Sequence, residues 1–210
     1  KGEENNNTFF AMSLSRLGDI YVNDAFSVSH RAHASIVSLP KLLSSFMGLH
    51  FEEELKELSF SPKKPFLFIL GGAKFQTKLP LIKKYLKIAD YVFVGGALMN
   101  SFFKSLGHEV GKSLAEGAGS ELKKMVNNKN LILPTDVRVD DGGIKKVGEI
   151  EKEEKIRDIG PESISTLVSL IKNSKCVLFN GPLGHYELGF DGSTREALKA
   201  MSKSEARTIV

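Results

Sequence analysis

The segment Phe66-Leu67-Phe68-Ile69-Leu70-Gly71-Gly72-Ala73-Lys74 combines five consecutive apolar residues with a glycine pair and a lysine. Pro65 and Gly71 bound the apolar run, and its length and composition favour a buried β-strand. A strand made almost entirely of apolar residues is typical of a parallel sheet covered on both faces. The segment therefore predicts a buried strand that ends in a tight turn, with a cation directly after the turn.

Apolar runs continue to alternate with helical patterns up to the end of the chain. Further strands are predicted at Tyr91–Val94, at 131–133, at 176–179 and from Thr208 onward. Helices are predicted at 79–89, at 97–106, at Ser120–Val126, from Pro161 onward and at 194–201. This alternation predicts an α/β fold in which helices flank a parallel sheet on both faces.

The part of the chain before Phe66 has a different pattern. A short strand is predicted at 20–22, and the segment 51–58 has the spacing of an amphipathic helix. The proline-containing segment 59–65 predicts a linker. We therefore expect a domain boundary near Ser59, with one domain over 1–58 and a second over 59–210.

The composition is that of an ordinary globular chain. Of its 210 residues, 41% are hydrophobic and 26% are charged, and the net charge is +4, so the chain can bury a core without cross-links. The single cysteine, Cys176, lies in an apolar run, which predicts a buried hydrophobic residue in a reducing compartment. No arginine-rich run suggests nucleic-acid binding, and no apolar stretch is long enough to span a bilayer. These features predict a cytoplasmic protein that binds neither nucleic acid nor membranes.

Both ends of the sequence are unusual. The sequence starts with a polar run that lacks methionine and the apolar core of a signal peptide. It stops at Thr208-Ile209-Val210, a β-branched triplet that predicts the opening of a buried strand. Ending there would leave that strand without a turn to close it, so we expect the sequence to be a fragment.

Glycines follow three of the predicted strands. Gly71-Gly72 follows the first, Gly95-Gly96 the second, and Gly181 with Gly184 the strand at 176–179. Ligands of open parallel sheets bind beyond the carboxyl ends of the strands, where glycine lets a ligand approach and lets amides turn toward phosphate. One such pair is a common feature of tight turns. Three at one edge of a sheet indicate a nucleotide or phosphate crevice.

Two lysines follow the first glycine turn. Lys74 and Lys78 are one helical turn apart and therefore share a face of the predicted helix start. Cations at a helix N-terminus oppose the helix dipole, so this placement favours an anionic ligand over a plain solvated surface. The sequence has no Gly-x-x-x-x-Gly-Lys-Ser/Thr loop, and the turn lacks the third glycine and the following acid of a dinucleotide fingerprint. A polyphosphate site of another type is predicted.

Several segments, taken together and in this order, resemble the phosphoglycerate kinase family. They are Tyr21-Val22-Asn23-Asp24-Ala25-Phe26 followed by His30-Arg31-Ala32-His33-Ala34-Ser35, Leu70-Gly71-Gly72-Ala73-Lys74, Val94-Gly95-Gly96-Ala97, Gly111-Lys112-Ser113-Leu114, Leu133-Pro134-x-Asp136-Val137, Asp158-Ile159-Gly160-Pro161 and Asn180-Gly181-Pro182-Leu183-Gly184-His185-Tyr186-Glu187. Each could arise by chance, but the ordered set is specific. The resemblance implies a two-lobed fold with Rossmann-like α/β lobes. This sequence would begin inside the N-terminal lobe and stop inside the nucleotide-binding lobe.

For the function, the resemblance implies reversible phosphoryl transfer between 1,3-bisphosphoglycerate and ADP, giving 3-phosphoglycerate and ATP in glycolysis. It also implies a monomer. Magnesium would accompany the nucleotide, and its principal aspartate would lie beyond Val210, so no metal ligand is expected in this chain.

The resemblance also implies roles for individual residues. Lys74 and Arg31 would be catalytic, with Lys74 stabilising the transferred phosphoryl group and Arg31 acting on the acyl-phosphate side. Lys78 and Asn180 would hold nucleotide phosphates, and Glu187 would accept the ribose hydroxyls. The adenine and ribose crevice would be lined by Gly72, Gly95, Gly96 and Pro182.

From the residues alone, other interpretations stay open. Glu187 fits a solvated loop acid, Asn180 a turn residue and Arg31 a surface ion pair. His30 and His33 flank Arg31 without a cysteine or carboxylate cluster, which favours structural histidines over a metal site.

Three residues depart from the family pattern. Arg157 and His185 stand where apolar residues are usual near the expected base, so they are expected to alter the adenine pocket. Ser193 replaces a frequent glycine. Since both lobes are incomplete, we expect the chain alone to bind nucleotide weakly and to be inactive. The alternative function is a non-catalytic nucleotide-binding or interaction protein.

Overall fold

The computed structural model describes residues 1–59, 61–116 and 120–210, and Phe60 of the predicted linker lies outside the described residues. The chain forms two compact units, Lys1–Ser61 and Pro62–Val210. Within the described ranges, no helix has the length and apolar character needed to cross a membrane.

The first unit combines short helices with a two-stranded sheet. Its elements are α1 (Thr8–Ser15), β1 (Ile20–Asn23), a 3-10 turn (Phe26–Val28), a π-helical segment (Ala34–Ser38), a second 3-10 turn (Leu39–Lys41), β2 (Ser44–Met47) and α2 (Leu49–Leu58). The two strands run parallel, with Ile20 opposite Ser44. The predicted strand and amphipathic helix are confirmed, whereas the sequence analysis does not predict α1 and β2.

The second unit contains a five-stranded parallel sheet. Its elements are β3 (Phe66–Leu70), α3 (Phe75–Ile88), β4 (Tyr91–Val94), α4 (Gly96–Ser105), α5 (Ser120–Val126), β5 (Leu131–Ile132), β6 (Asp136–Val139), β7 (Ile144–Lys146), β8 (Ile156–Ile159), α6 (Pro161–Asn173), β9 (Cys176–Asn180), a 3-10 turn (Tyr186–Leu188), α7 (Gly192–Ser202) and β10 (Arg207–Ile209). The sheet has the order β10-β9-β3-β4-β5, and all its neighbouring strands are parallel. The predicted α/β fold is confirmed.

Helices cover both faces of this sheet. All five residues of β3 are buried, and successive side chains of a strand point to opposite faces. On one face, Phe68 stacks on Tyr85 of α3 with 3.9 Å between the ring centroids. On the other face, Leu67 and Ile69 belong to a core cluster with residues of α4, α6 and α7. Burial from two sides is therefore the physical reason for the continuous apolar run.

The second unit also contains a small antiparallel sheet that the sequence analysis does not predict. Its order is β7-β6-β8, and both pairs are antiparallel. The strands are short and contain charged residues such as Arg138 and Lys145, so no apolar run marks them, and the polar–apolar alternation of β6 covers only four residues. Their pairing depends on contacts between distant segments, such as Val137 opposite Ile159.

The start of α3 shows the largest difference between a predicted and an observed helix boundary. The helix begins at Phe75 rather than at 79, so Pro80 lies inside it. Lys74 is the residue before the helix, and Lys78 completes its first turn. The two lysines therefore do lie at a helix start, one turn earlier than the apolar spacing alone indicates.

Candidate functional site

The three glycine turns meet at one edge of the parallel sheet. They follow β3, β4 and β9, which are adjacent in the sheet and run in the same direction. Their carboxyl ends therefore lie side by side, and the predicted convergence of the turns is confirmed.

Backbone hydrogen bonds join the turns to one another. The amide of Gly72 donates to the carbonyl of Pro182 (2.8 Å), and the amide of Gly96 donates to the carbonyl of Leu183 (3.0 Å). These amides are engaged within the protein, contrary to the expectation that the glycine amides turn toward phosphate. The amides of Gly72 and Gly96 are therefore not free to bind an anion.

Glycine is required in these turns because the backbones approach one another closely. A Cβ atom on Gly71 would lie 2.0 Å from the carbonyl oxygen of Pro182, and one on Gly96 would lie 2.6 Å from the amide nitrogen of Gly72. Gly96 also has a φ of +60°, which residues with a Cβ atom rarely adopt. Here glycine permits the contact between turns rather than the exposure of amides.

Lys78 and Asn180 come together at this edge. Lys78 Nζ contacts Asn180 Oδ1, which joins the first turn of α3 to the end of β9. Partial burial lowers the pKa of the Lys78 ammonium group. A bound anion would offset this desolvation, because a nearby opposite charge favours the charged form.

Lys74 lies one turn earlier, directly before α3. The residue is exposed, and its carbonyl accepts a hydrogen bond from the Thr77 hydroxyl (2.9 Å). The first amides of an α-helix have no intrahelical acceptor and form the positive end of the helix dipole. The start of α3 and the two lysines together make a region of positive potential suited to a polyphosphate.

A cavity of about 410 Å³ lies beside the glycine edge. Four of the residues assigned from the family resemblance line it: Gly72, Gly96, Pro182 and Glu187. Among the described residues that form its wall, Lys74, Lys78, Gly95 and Asn180 do not appear. The cations at the start of α3 therefore lie outside the cavity wall, which has basic residues of its own in Lys112, Lys155 and Arg157.

Much of the cavity wall comes from residues that the sequence analysis does not assign to the site. Met99 and Asn100 of α4, Leu114 of the following loop, and Lys155 with Ile156 at β8 contribute to it. Apolar side chains with a few polar groups are typical of pockets for small organic ligands. Of these five residues, only Leu114 belongs to one of the segments that resemble the family.

Arg157 and His185 pair with each other at the cavity wall. Arg157 Nη1 donates a hydrogen bond to His185 Nδ1 (2.9 Å), because a guanidinium group can only donate. The neutral imidazole then carries its proton on Nε2, which lies 3.8 Å from a carboxylate oxygen of Glu187. The two departures from the family pattern therefore form one polar group that lines the cavity.

Asp136 anchors the start of α6. It accepts hydrogen bonds from the amide (2.8 Å) and the hydroxyl (2.6 Å) of Ser163 and from the amide of Glu162 (3.0 Å). Burial alone would raise the pKa of Asp136, but these hydrogen bonds and the charge of Lys146 outweigh it and lower the pKa.

Asp158 of β8 accepts hydrogen bonds from the start of α7, as Asp136 does from the start of α6. It accepts hydrogen bonds from the amide (3.2 Å) and the hydroxyl of Ser193. Burial raises the pKa of Asp158 in spite of these bonds. The serine that departs from the family pattern thus donates to a buried carboxylate of β8.

Arg31 belongs to the first unit. It is exposed, and its amide donates to the carbonyl of Val28 (3.0 Å). His33 Nδ1 lies 3.8 Å from a carboxylate oxygen of Glu3. In the part of the chain that the structure describes, no group of three or more His, Cys, Asp or Glu residues could hold a metal ion.

Comparisons with known proteins cover the whole chain. The family model described as phosphoglycerate kinase matches residues 1–210. The phosphoglycerate kinase of Caulobacter sp. (strain K31) is 38% identical over 96% of this chain and 55% of the relative, and that of Orientia tsutsugamushi (strain Ikeda) is 41% identical over 96% and 54%.

Solved structures lead to the same family. The phosphoglycerate kinase from Coxiella burnetii matches with a TM-score of 0.84 at 34% identity, covering 100% of this chain and 59% of that chain. The phosphoglycerate kinase from Pyrococcus horikoshii OT3 matches with a TM-score of 0.81 at 26% identity, covering 96% and 55%. The chain thus spans somewhat more than half the length of the relatives it matches. Because the family model matches this chain from residue 1 to residue 210, the chain belongs to the phosphoglycerate kinase family.

Proposed function

We propose that this chain is part of a phosphoglycerate kinase that transfers a phosphoryl group reversibly between 1,3-bisphosphoglycerate and ADP, giving 3-phosphoglycerate and ATP in glycolysis. Family membership along all 210 residues supports the reaction. The observation that carries the assignment is the contact of Lys78 with Asn180 beside three joined glycine turns, since it brings a partly buried cation to the carboxyl edge of the sheet.

The nucleotide would extend along the glycine edge, with its phosphates at Lys74, Lys78 and the start of α3. Its base would occupy the cavity, and its ribose hydroxyls would donate to Glu187. The apolar side chains of Met99, Leu114 and Ile156 in the cavity wall support this orientation, because a base needs apolar contact. The surface between the two ends would be formed by Gly72, Gly95, Gly96 and Pro182.

Catalysis of phosphoryl transfer rests mainly on positioning and on stabilisation of charge. In the proposed mechanism, Lys74 neutralises charge on the transferred group, and Asn180 orients Lys78 toward the nucleotide phosphates. Arg31 of the first unit is proposed to act on the acyl-phosphate side. The phosphoryl group passes directly from the acyl oxygen to the terminal phosphate oxygen of ADP, so no covalent enzyme intermediate is required.

Magnesium is expected to accompany the nucleotide because of the family resemblance. The described ranges of the chain contain no cluster of three or more potential ligand residues. No step of the mechanism is therefore assigned to the ion. A cytoplasmic, monomeric protein that binds neither nucleic acid nor membranes also stays a prediction.

A non-catalytic nucleotide-binding protein is the second candidate. The chain covers only 55% of the Caulobacter relative, and Arg31 is the one cation assigned to the phosphoglycerate side. A chain with a nucleotide site and an incomplete second substrate site would bind ADP without turnover.

Calorimetry with ADP tests the nucleotide site. Lys78→Ala should weaken ADP binding at least about tenfold, because a charged contact to phosphate is lost. Lys87→Ala, at an exposed position on the same helix, is the matched control and should bind like the wild type. Absence of ADP binding, or equal affinity of Lys78→Ala and the wild type, would contradict the assignment.

We expect the 210 residues alone to be inactive, so a coupled assay with 3-phosphoglycerate and ATP separates the two candidates only in a longer protein that contains this chain. In that protein, turnover that Lys74→Ala lowers strongly, and Lys87→Ala does not, supports the kinase. ADP binding without any turnover there supports the non-catalytic candidate.

A further inference from the structure

We propose that Asn180 is a site of spontaneous deamidation. The backbone amide nitrogen of Gly181 attacks the side-chain amide of Asn180, and Lys78 stabilises the charge that develops on the amide oxygen. The product is aspartate or isoaspartate at the carboxyl edge of the sheet. The modification itself does not depend on the proposed function, and only its effect on ADP binding rests on the proposed nucleotide site.

The sequence places Asn180 in the dipeptide most prone to this reaction. Asn180 is followed by Gly181, and this is the one Asn-Gly pair among the 210 residues. A side chain on the following residue hinders the approach of its amide nitrogen, and glycine has no Cβ atom. Every other asparagine of the chain is followed by a residue with a side chain. Asparagine is among the thermolabile residues, so the pair is the chemically weakest asparagine site of the chain.

The fold leaves this pair accessible. Asn180 is the last residue of β9, Gly181 follows it with a φ of +84°, and both residues are exposed. The amides of Gly71 and Gly72 donate to the carbonyls of Asn180 and Pro182, whereas the amide of Gly181 has no backbone acceptor among the described residues. The nitrogen that would attack is therefore not held by a hydrogen bond to another part of the main chain.

Lys78 lies against the atom on which charge develops. Attack on the side-chain carbon turns the carbonyl oxygen of Asn180 into an oxyanion before the amino group leaves. Lys78 Nζ contacts Oδ1, and the contacted atom is the oxygen because an ammonium group can only donate. A cation already placed beside a developing oxyanion lowers the barrier to its formation. The same contact that orients Lys78 thereby promotes the loss of the asparagine.

The reaction consumes one water molecule and releases one ammonia molecule. The Gly181 nitrogen gives up its proton to solvent and bonds to Cγ of Asn180, and the side-chain nitrogen takes up a proton and leaves as ammonia. The resulting succinimide ring then adds water at one of its two carbonyl carbons. Opening of the ring gives aspartate or isoaspartate, and no oxidant or further reactant is needed.

Either product alters the edge of the sheet. A carboxylate at position 180 pairs with Lys78 and repels phosphate, because it adds a negative charge beside the cation. Isoaspartate also lengthens the main chain by one carbon directly before Gly181, within the turn whose Pro182 carbonyl accepts the Gly72 amide. Deamidated protein is therefore expected to bind ADP about tenfold more weakly than fresh protein.

Mass spectrometry of tryptic peptides tests the modification. Trypsin cleaves after Lys175 and Arg195, and the peptide 176–195 contains Asn180 as its only amide side chain. After incubation of the folded 210-residue chain in mildly alkaline buffer, this peptide should gain the mass that replaces an amino group by a hydroxyl group. The peptide 88–104 of the same digest contains Asn100, which is buried in α4 with Ser101 after it, and should stay unchanged.

The free synthetic peptide 176–195 separates the effect of the fold from that of the dipeptide. The folded chain should deamidate at least about threefold faster than the free peptide, because only the chain contains Lys78. An equal or lower rate in the folded chain would overturn the proposal.

Three variants assign the effect to residues. Lys78→Ala should lower the rate to that of the free peptide, and Lys87→Ala, at an exposed position on the same helix, should keep the wild-type rate. Asn180→Gln should show no mass gain, since its longer side chain closes a larger ring more slowly. An unchanged rate in Lys78→Ala would refute the role of Lys78. Circular dichroism checks folding, and if Lys78→Ala does not fold, the comparison of the wild-type chain with the free peptide decides.

Calorimetry with ADP before and after incubation tests the consequence. The affinity of the modified protein should fall to that of Asn180→Asp. Unchanged affinity of fully deamidated protein would overturn the predicted consequence. Deamidation of a chain that does not bind ADP even when fresh would overturn the proposed nucleotide site and leave the modification site in place.

Discussion

The Nζ atom of Lys78 contacts the Oδ1 atom of Asn180, although the two residues are 102 positions apart in the sequence. The same asparagine accepts the amide of Gly71 through its backbone carbonyl (2.9 Å). Asn180 therefore links the first helix turn after β3 to the glycine turn of the same strand. Because its side chain lies at an exposed position, its substitution is expected to affect ligand affinity more than folding.

Asn180→Asp should weaken ADP binding more than Asn180→Ala does. Alanine removes only the group that orients Lys78, so we expect the affinity for ADP to fall about threefold. Aspartate adds a negative charge that repels phosphate, so we expect the affinity to fall about tenfold. Calorimetry measures both affinities. Asn173→Asp adds the same charge at an exposed site on α6 and should leave ADP binding unchanged. Tighter binding by Asn180→Asp than by Asn180→Ala would argue against phosphates at this position.

Ser163→Ala should lower the free energy of unfolding by about 1–3 kcal/mol. Its buried hydroxyl donates to Asp136 Oδ1 (2.6 Å) and accepts the amide of Thr135 (3.0 Å), so both partners lose a hydrogen bond. Urea unfolding followed by circular dichroism measures the change. Ser165→Ala, at an exposed position on the same helix, should change stability by less than about 0.5 kcal/mol. Equal effects of the two substitutions would contradict the role of the hydroxyl.

The stability costs of Asp136→Asn and Asp158→Asn should depend on pH with opposite signs. The folded pKa of Asp136 is lowered, so its ionised form stabilises the fold above the unfolded pKa, and this contribution is lost as pH falls through the folded pKa. The folded pKa of Asp158 is raised, so protonation favours the fold, and its contribution grows as pH falls from the folded pKa toward the unfolded one.

Urea unfolding between about pH 3 and pH 7 measures both trends. The cost of Asp136→Asn should shrink toward acid pH, and the cost of Asp158→Asn should increase. Parallel pH profiles for the two variants would show that one of the two pKa directions is wrong.

Gly96→Ala should destabilise the second unit by more than about 2 kcal/mol. The added Cβ atom would lie 2.6 Å from the backbone nitrogen of Gly72, in a left-handed conformation that alanine adopts only with strain. Gly192→Ala is the control. No neighbouring group lies within 4 Å of its Cβ position, and alanine has a higher helix propensity than glycine at this first residue of α7. Thermal unfolding of both variants measures the difference. A stable Gly96→Ala protein would mean that the turns can separate without cost.

The parallel sheet and its glycine edge could be predicted from the sequence because their signals are local. The run Phe66–Leu70 is buried on two faces and therefore contains no polar residue, and a glycine pair follows two of the strands directly. The antiparallel sheet lacks such signals. In this sheet β8 is a direct neighbour of β6, although β7 lies between them in the sequence. The register of this pair also shifts between Arg138 and Val139.

The candidate site could be predicted from the sequence at its two lysines and much less so at its cavity. Lys74 and Lys78 lie close in sequence to a glycine turn, so one short segment predicts them. Asn100 and Ile156 become neighbours of the same cavity only after α4 and β8 have packed, and each resembles an ordinary core residue in the sequence. The amide of Gly72 donates to Pro182, which is more than a hundred positions away in the sequence, so this contact between turns could not be predicted either.

The backbone hydrogen bonds between the glycine turns have a consequence for how this protein can change over evolution. The frame is made of main-chain atoms, so substitutions around it leave it intact, whereas an added side chain at Gly71 or Gly96 disrupts it. Side chains of the cavity wall, such as Arg157 and His185, carry no part of that frame. Robustness of the glycine frame and adaptability of the cavity wall thereby depend on different atoms of the candidate site, so side chains of the wall can diverge among relatives while the frame is retained.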